Sequence, residues 1–193
     1  MIIGNKNFDT ENNTYIMGIL NVEKETRKEQ EYNFNLMAAR EEANIDELTG
    51  VKNKHAYLDM EEVINNQINE GSCPEFAIAV FDLNNLKAIN DTKGHQAGDR
   101  YIKDGCKIIC KTFTHSPVFR LGGDEFAVVV DGEDYDNLEA NMEKIAKINQ
   151  KNMTTGKVVI AAGASRFARD KNVAAVFKRA DKSMYENKAE LKS

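Results

Sequence analysis

Residues 119–130, FRLGGDEFAVVV, place two glycines and two acids between a short apolar run and a longer one. Glycine tolerates positive φ and close backbone approach, so Gly122 and Gly123 suit a tight hairpin turn joining strands over 118–121 and 125–130. Asp124 and Glu125 then stand at the tip of the hairpin rather than inside a strand. Acids at a turn are often simply solvated. A second feature points further. The run EFAIAVFDL (75–83) has strand length and ends in Asp82, where a buried strand meets the loop segment NNLKAINDTKGHQAGD. If that strand pairs with the hairpin, Asp82 and Asp124 converge. Two carboxylates held close repel unless a cation lies between them, and Mg²⁺ takes oxygen ligands while keeping waters that a phosphate can replace.

The remaining pattern supplies a frame for such a site. Tyr57, Met60, Ile64 and Ile68 fall on one helical face, and Gly71 is a plausible stop. Ile102, Cys106, Ile109, Cys110 and Phe113 recur at helical spacing over 97–115. Leu138, Met142, Ile145 and Ala146 do so over 136–150. Val173, Val176, Phe177, Ala180, Met184 and Tyr185 do so over 172–190. KVVIAAGAS (157–165) reads as another strand, and Pro74 and Pro117 each stand just before one, where a missing N–H does least harm. Helices alternating with strands, plus one hairpin, imply an α+β fold with a mixed sheet backed by helices.

Residues 1–22 are Asn-rich and end in a plausible strand, TYIMGILNV. Residues 23–45 lack Gly and Pro and read as a helix. Val22, Tyr32, Leu36, Ala39 and Ala43 form a heptad-like seam that Glu25 and Glu29 interrupt, so a coiled coil and a solvated linker helix both remain open.

Bulk composition narrows the function classes. A net charge of -5 argues against a general nucleic-acid binder. No apolar run approaches a membrane span, and no signal peptide is visible. Cys73, Cys106 and Cys110 are too few and unpaired for a disulfide framework, so a cytoplasmic location with reduced thiols is expected. Cys106 and Cys110 read as core packing rather than a zinc site. The Walker A pattern is missing, which excludes a phosphate cradle of that kind.

Four blocks in order, DELTGVKNKHAY (46–57), FDLNNLKAINDTKGHQAGD (81–99), RLGGDEF (120–126) and ADKSMYENK (180–188), resemble the GGDEF domain of diguanylate cyclases. The resemblance implies a five-stranded, mainly antiparallel central sheet with surrounding helices, similar to the palm of nucleotide polymerases, over 46–193. A linker helix over 23–45 and a stub over 1–22 precede it; the stub faintly resembles the closing strand of a PAS sensor domain, which suggests either a piece of a longer protein with an upstream sensor or a short protein with only a stub. The implied activity joins two GTP into cyclic di-GMP and two pyrophosphates across a homodimer, each 3′-hydroxyl attacking the α-phosphate of the other GTP. A catalytically silent GTP-binding or dimerisation module that regulates a partner is the alternative.

Residue by residue, the resemblance implies that Asp82, Asp124 and the carbonyl of Leu83 hold Mg²⁺ or Mn²⁺, two ions per active site. The backbone of Asn84, Asn85 and Leu86 would lie near the β- and γ-phosphates, and Asn90 and Asp99 at the guanine edge. Lys188 matches a phosphate-binding lysine, and Glu125 would assist metal or hydroxyl positioning. Lys192, one helical turn on, stands where the family often has arginine, and Lys87 lies within reach of a phosphate or is a surface lysine. An acceptor-only carboxylate suits the adjacent N1–H and N2 donors of guanine, so Asp99 favours GTP over ATP. His95 reads as a loop contact rather than a base, and Arg120 as a partner for an acid. The family's inhibitory product site needs Arg-x-x-Asp where this chain reads Phe113-Thr114-His115-Ser116, so that site is expected to be absent.

Overall fold

The computed structural model describes residues 43–192, residues 27–32, and two short strands near the N-terminus. The chain divides into two compact units, Met1–Ala43 and Asn44–Ser193. In the first, β1 (Ile2–Ile3) pairs antiparallel with β2 (Lys6–Asn7), and 27–32 form helix α1. The expected strand over 14–22, its PAS-like reading, and most of the seam (Val22, Leu36 and Ala39) lie outside the described residues. Tyr32 is exposed.

The second unit is built on a five-stranded sheet of order β3-β5-β6-β4-β7. Its strands are β3 (Lys52–Asn53), β4 (Ala77–Leu83), β5 (Val118–Gly122), β6 (Glu125–Val130) and β7 (Ile160–Arg166). All pairings are antiparallel except β3 with β5. Central strand β4, AIAVFDL, is buried along its whole length. An unbroken apolar run of this kind signals a strand covered on both faces. Side chains alternate between those faces. Ala77, Ala79, Phe81 and Leu83 pack with Ile102, Cys106 and Ile109 of α4 (His95–Thr112) and with Leu138 and Ile145 of α6 (Leu138–Thr155). Ile78 and Val80 pack with Ala56, Tyr57 and Ile64 of α2 (Lys54–Glu70) and with Val173, Val176, Ala180 and Met184 of α7 (Val173–Glu190). Asp82 continues this second set, which turns it toward α7.

Local chemistry sets the helix ends. The side chain of Asn53 accepts from the Ala56 N–H at 3.1 Å, and Gly71 closes α2 in the left-handed conformation, as its position suggests. Gly163 of β7 allows a backbone-to-backbone approach: a Cβ there would lie 2.1 Å from the Met184 nitrogen of α7. That contact seats the C-terminal end of α7, and with it Lys188, against the sheet. Along the outer edge of β7, buried Asn149 takes the place of a sixth strand. It accepts from Ile160 N–H at 2.9 Å and donates to the Ile160 carbonyl at 2.7 Å. The first residue of that edge is thereby satisfied within the chain.

Two elements depart from the sequence reading. Residues 86–93, expected as part of a loop, form helix α3 (Leu86–Lys93), which ends at Gly94 just before α4 begins. Only Leu86 of α3 is buried, so the segment has no apolar stripe to show a helical period. Strand β3 has two residues, too few for any alternation, yet it pairs Lys52 with Phe119 and Asn53 with Arg120. A short helix α5 (Gly132–Asp136) follows β6. Among the described residues no helix is long and apolar enough to cross a membrane.

Candidate active site

The site begins where β4 lies against the β5–β6 hairpin. Asp82 is the Cα partner of Glu125, and the Leu83 N–H donates to the Asp124 carbonyl at 3.0 Å. The hairpin register slips between Arg120 and Gly122, and the turn needs φ of +154° at Gly122 and +49° at Gly123. An L side chain is disfavoured at both values, which is why glycine stands there. Arg120 pins the turn from below. Its Nε and Nη2 donate to the Gly123 carbonyl at 3.1 and 2.8 Å, while Nη1 reaches both carboxylate oxygens of Asp46 at 3.1 Å. Burial alone would raise the Asp46 carboxyl, but hydrogen bonds from Thr49 and Arg120 outweigh it and hold the group below the usual carboxylate range. Arg120 therefore braces the tip that carries Asp124.

Asp82 is 5 % exposed. Its Oδ2 accepts from Lys188 Nζ at 2.6 Å, whereas its Oδ1 is buried with no protein donor. The Oδ1 of neighbouring Asn84 is likewise buried and unmatched. Next in the chain, Asn85 adopts φ of +68°, a conformation uncommon outside glycine, and starts α3 without a side-chain cap bond. The first N–H groups of α3 are thereby left without intrahelical partners at its open end.

Asp82, Leu83 and Asp124 line one open cleft of about 380 Å³ with Asn85, Leu86 and Lys87 from the start of α3, and with Lys188 and Lys192. Glu125, though opposite Asp82 in the ladder, is exposed and lines a neighbouring cleft with Tyr57, Leu121 and Phe177. Asn84 faces a third cleft, shared with Tyr101, Lys157 and Lys192. Asn90 and Asp99 lie away from the carboxylates, at the junction of α3 and α4. A Cβ at Gly98 would meet the Asn90 Oδ1 at 1.9 Å, so only glycine lets the Asn90 amide press against the helix turn that carries Asp99. Asp99 is exposed beside it, and His95 is exposed at the start of α4.

Two carboxylates, one unmatched buried Oδ1 and an adjacent main-chain carbonyl make a hard, all-oxygen donor set. Among the described residues no group of three or more His, Cys, Asp or Glu is arranged to hold a metal. The pair therefore suits an ion that keeps waters and completes its shell with a ligand's oxygens, as Mg²⁺ does, rather than one needing a full protein cage.

Two residues of this region escape sequence reasoning. Asp91 also lines the carboxylate cleft, one turn along α3 from Lys87; its signal is the spacing, legible only once 86–93 is known to be helical. The Tyr101 hydroxyl donates to the Asn84 carbonyl at 2.7 Å and accepts from the Val159 N–H at 3.2 Å. It ties the β4–α3 turn to the segment leading into β7. No motif marks it.

The family model described as "Diguanylate cyclase, GGDEF domain" matches residues 43–193. The cyclic di-GMP phosphodiesterase PdeR of Escherichia coli K12 is 35% identical over 104 residues, 53% of this chain and 15% of that protein. The diguanylate cyclase DgcS of Shewanella oneidensis is 31% identical over 156 residues, 77% of this chain and 50% of that protein. The chain thus spans half or less of the length of these two relatives. In fold, it is similar to the crystal structure of the coiled coil and GGDEF domain of DgcB from Caulobacter crescentus in complex with c-di-GMP. The TM-score is 0.71 at 23% identity, over 89% of this chain and 94% of that one.

Proposed function

This chain belongs to the diguanylate cyclase GGDEF domain family, and from that premise we propose that it condenses two GTP into cyclic di-GMP and two pyrophosphates. The observation that carries the reading is the joint placement of Asp82 and Asp124 in one cleft walled by Lys188, Lys192 and the start of α3. A helix N-terminus with unpaired N–H groups favours phosphate, and Lys192 adds positive charge to the same cleft. We assign the triphosphate to this cleft, with Asn85 and Leu86 supplying backbone contacts and Lys87 reaching from the first turn, while Asn84, whose N–H and carbonyl are already bonded to Val159 and Tyr101, holds the turn in place. Asp99 accepts from the paired donors of the guanine edge, and Asn90, held against Gly98, completes that contact.

Bound to Asp82, Asp124 and the Leu83 carbonyl, two Mg²⁺ or Mn²⁺ ions would polarise the attacking 3′-hydroxyl and offset charge on the departing pyrophosphate. The chain's own part is positional. Arg120 and the Leu83–Asp124 hydrogen bond fix the two carboxylates relative to each other. Lys188 keeps Asp82 neutralised and stands within the same cleft as the phosphates. Glu125, exposed in the neighbouring cleft, assists metal or hydroxyl positioning from there. In-line placement of the nucleophile contributes more to such a transfer than covalent chemistry by the protein. One GTP per protomer makes a second copy of the chain the partner, because each 3′-hydroxyl must meet the other α-phosphate.

The test is product formation by the purified chain with GTP and Mg²⁺, followed by chromatography over a range of protein concentrations. Cyclic di-GMP is expected, with a rate per protomer that rises with concentration. Folded, dimeric protein that makes none would overturn the reading. A second reading, a GTP-binding module without turnover, draws support from the likeness to PdeR, whose name describes a phosphodiesterase. Saturable GTP binding with no product from a dimer would establish it.

A further inference from the structure

Cys106 and Cys110 stand four residues apart on α4, with their sulfurs 3.9 Å from each other. Cys106 is 4 % exposed, whereas Cys110 is half-buried and so open to small reagents. The pair stands next to a set of hydrogen bonds that reaches the hairpin tip. The Cys106 thiol lies close enough to Thr49 and to the Asp46 carboxylate to feel both. Thr49 donates its hydroxyl and its N–H to Asp46 Oδ1, at 2.6 and 2.9 Å. The Asp46 carboxylate holds Arg120, and Arg120 holds the Gly123 carbonyl. A sulfur buried in the core thus lies beside the bonds that lead to the turn carrying Asp124.

We propose that Cys106 and Cys110 form a reversible peroxide-sensitive dithiol that loosens the brace on the Gly122–Gly123 turn when oxidised. Cys110 is the attacking sulfur. It is the more exposed of the two, and a hydrogen bond donated by the neighbouring Cys106 thiol would favour thiolate there. The Cys110 thiolate attacks one peroxide oxygen; the O–O bond breaks, hydroxide leaves, and a sulfenic acid forms. Cys106 then displaces the sulfenic oxygen as water, an S–S bond replaces the S–O bond, and the Cys106 proton is lost. In total two thiols give two electrons and two protons to one peroxide, which yields two waters.

The geometry makes the product reversible and consequential. A disulfide needs its Cβ atoms about 3.5–4.5 Å apart, whereas helical neighbours at this spacing hold them about 5–6 Å apart. Closing the bond therefore tightens α4 between the two positions and draws Cys106 off Thr49. A strained, accessible disulfide of this kind is readily reduced by cellular thiols.

The test uses a Cys73→Ser chain treated with hydrogen peroxide, blocked with iodoacetamide and digested with trypsin. Lys107 lies between the two cysteines, so trypsin separates them unless their sulfurs are bonded. A cross-linked pair of peptides, lighter by two hydrogens than the two reduced peptides together and split by dithiothreitol, is the expected result. Recovery of both cysteines alkylated after peroxide treatment overturns the proposal. Hydrogen exchange then reads the consequence, with faster exchange expected around 120–124 in the oxidised chain and no change in Cys106→Ser or Cys110→Ser variants. Unaltered exchange in a fully cross-linked chain overturns the link to the hairpin. Neither measurement needs turnover, so their outcome is separate from that of the cyclase reading on which the regulatory meaning rests. Where the chain is active, peroxide lowers its rate several-fold in the Cys73→Ser chain and leaves the two serine variants unaffected.

Discussion

Lys188 Nζ lies 2.6 Å from Asp82 Oδ2, joining the last turn of α7 to the end of β4. The carboxylate is almost fully buried and the ammonium about a quarter exposed. Removing one member of such a pair leaves the other charged in a poor solvent, which costs more than the intact pair contributes. Lys188→Ala should therefore destabilise the fold by about 1–3 kcal/mol, the lower end reflecting partial solvent screening. Mg²⁺ should narrow that difference, because it offers Asp82 another counter-charge. Thermal melts of both chains with and without Mg²⁺ measure this; equal midpoints without the ion would remove Lys188 from the account.

Asp124 behaves differently, since it is half-buried at a turn and its side chain braces nothing in the described structure. Asp124→Ala should leave the melting temperature nearly unchanged and lower cyclic di-GMP formation at least about 100-fold, equal to about 2.7 kcal/mol of transition-state stabilisation. The rate is read by chromatography and folding by circular dichroism. A variant that keeps more than a tenth of the rate would move the metal-binding role elsewhere.

How much of this was readable from residues alone depends on how local each signal is. The β5–β6 hairpin is legible because Gly122-Gly123 and the flanking apolar runs state it within twelve letters. The meeting of Asp82 with Asp124 follows once β4 pairs with β6, and an apolar run closed by an acid shows where β4 ends. Helix α3 is not legible, because a helix with one buried residue carries no period. The Arg120–Asp46 pair joins residues 74 apart, and its cause is the two-residue strand β3, which holds the 46–51 loop beside β5. Nothing in either neighbourhood announces the other.

Asp46 also sets an acid limit. Its folded pKa lies below the ordinary value, with burial opposing and hydrogen bonds from Thr49 and Arg120 prevailing. A carboxyl with a lowered folded pKa contributes stability above its unfolded pKa, about 3.9, and loses it as pH falls through the folded value. Urea midpoints of the wild-type chain and of Asp46→Asn should therefore differ by a constant amount near neutral pH and converge below about pH 4. A gap that stays constant down to pH 3 would mean that the charge on Asp46 is not what holds Arg120.

Tyr101 gives the sharpest separation between binding and folding. Its hydroxyl donates to the Asn84 carbonyl and accepts from the Val159 N–H, while the Asn84 N–H donates to the Val159 carbonyl at 2.9 Å. These three bonds fix the turn from which Asn85 and α3 emerge. Burial raises the Tyr101 pKa, so the phenol remains a donor at neutral pH. Tyr101→Phe keeps the ring in the core and deletes only the oxygen, leaving the Val159 N–H and the Asn84 carbonyl each one partner short. The loss should be about 1–2 kcal/mol of stability. If the turn presents α3 to the triphosphate, the same change raises the KM for GTP about 3- to 10-fold with little effect on kcat, since a misaligned phosphate site weakens ground state and transition state alike. Steady-state kinetics beside urea unfolding separates the cases: a stability loss with an unaltered KM would make Tyr101 a core residue only, and a fall in kcat alone would tie it to the reacting groups.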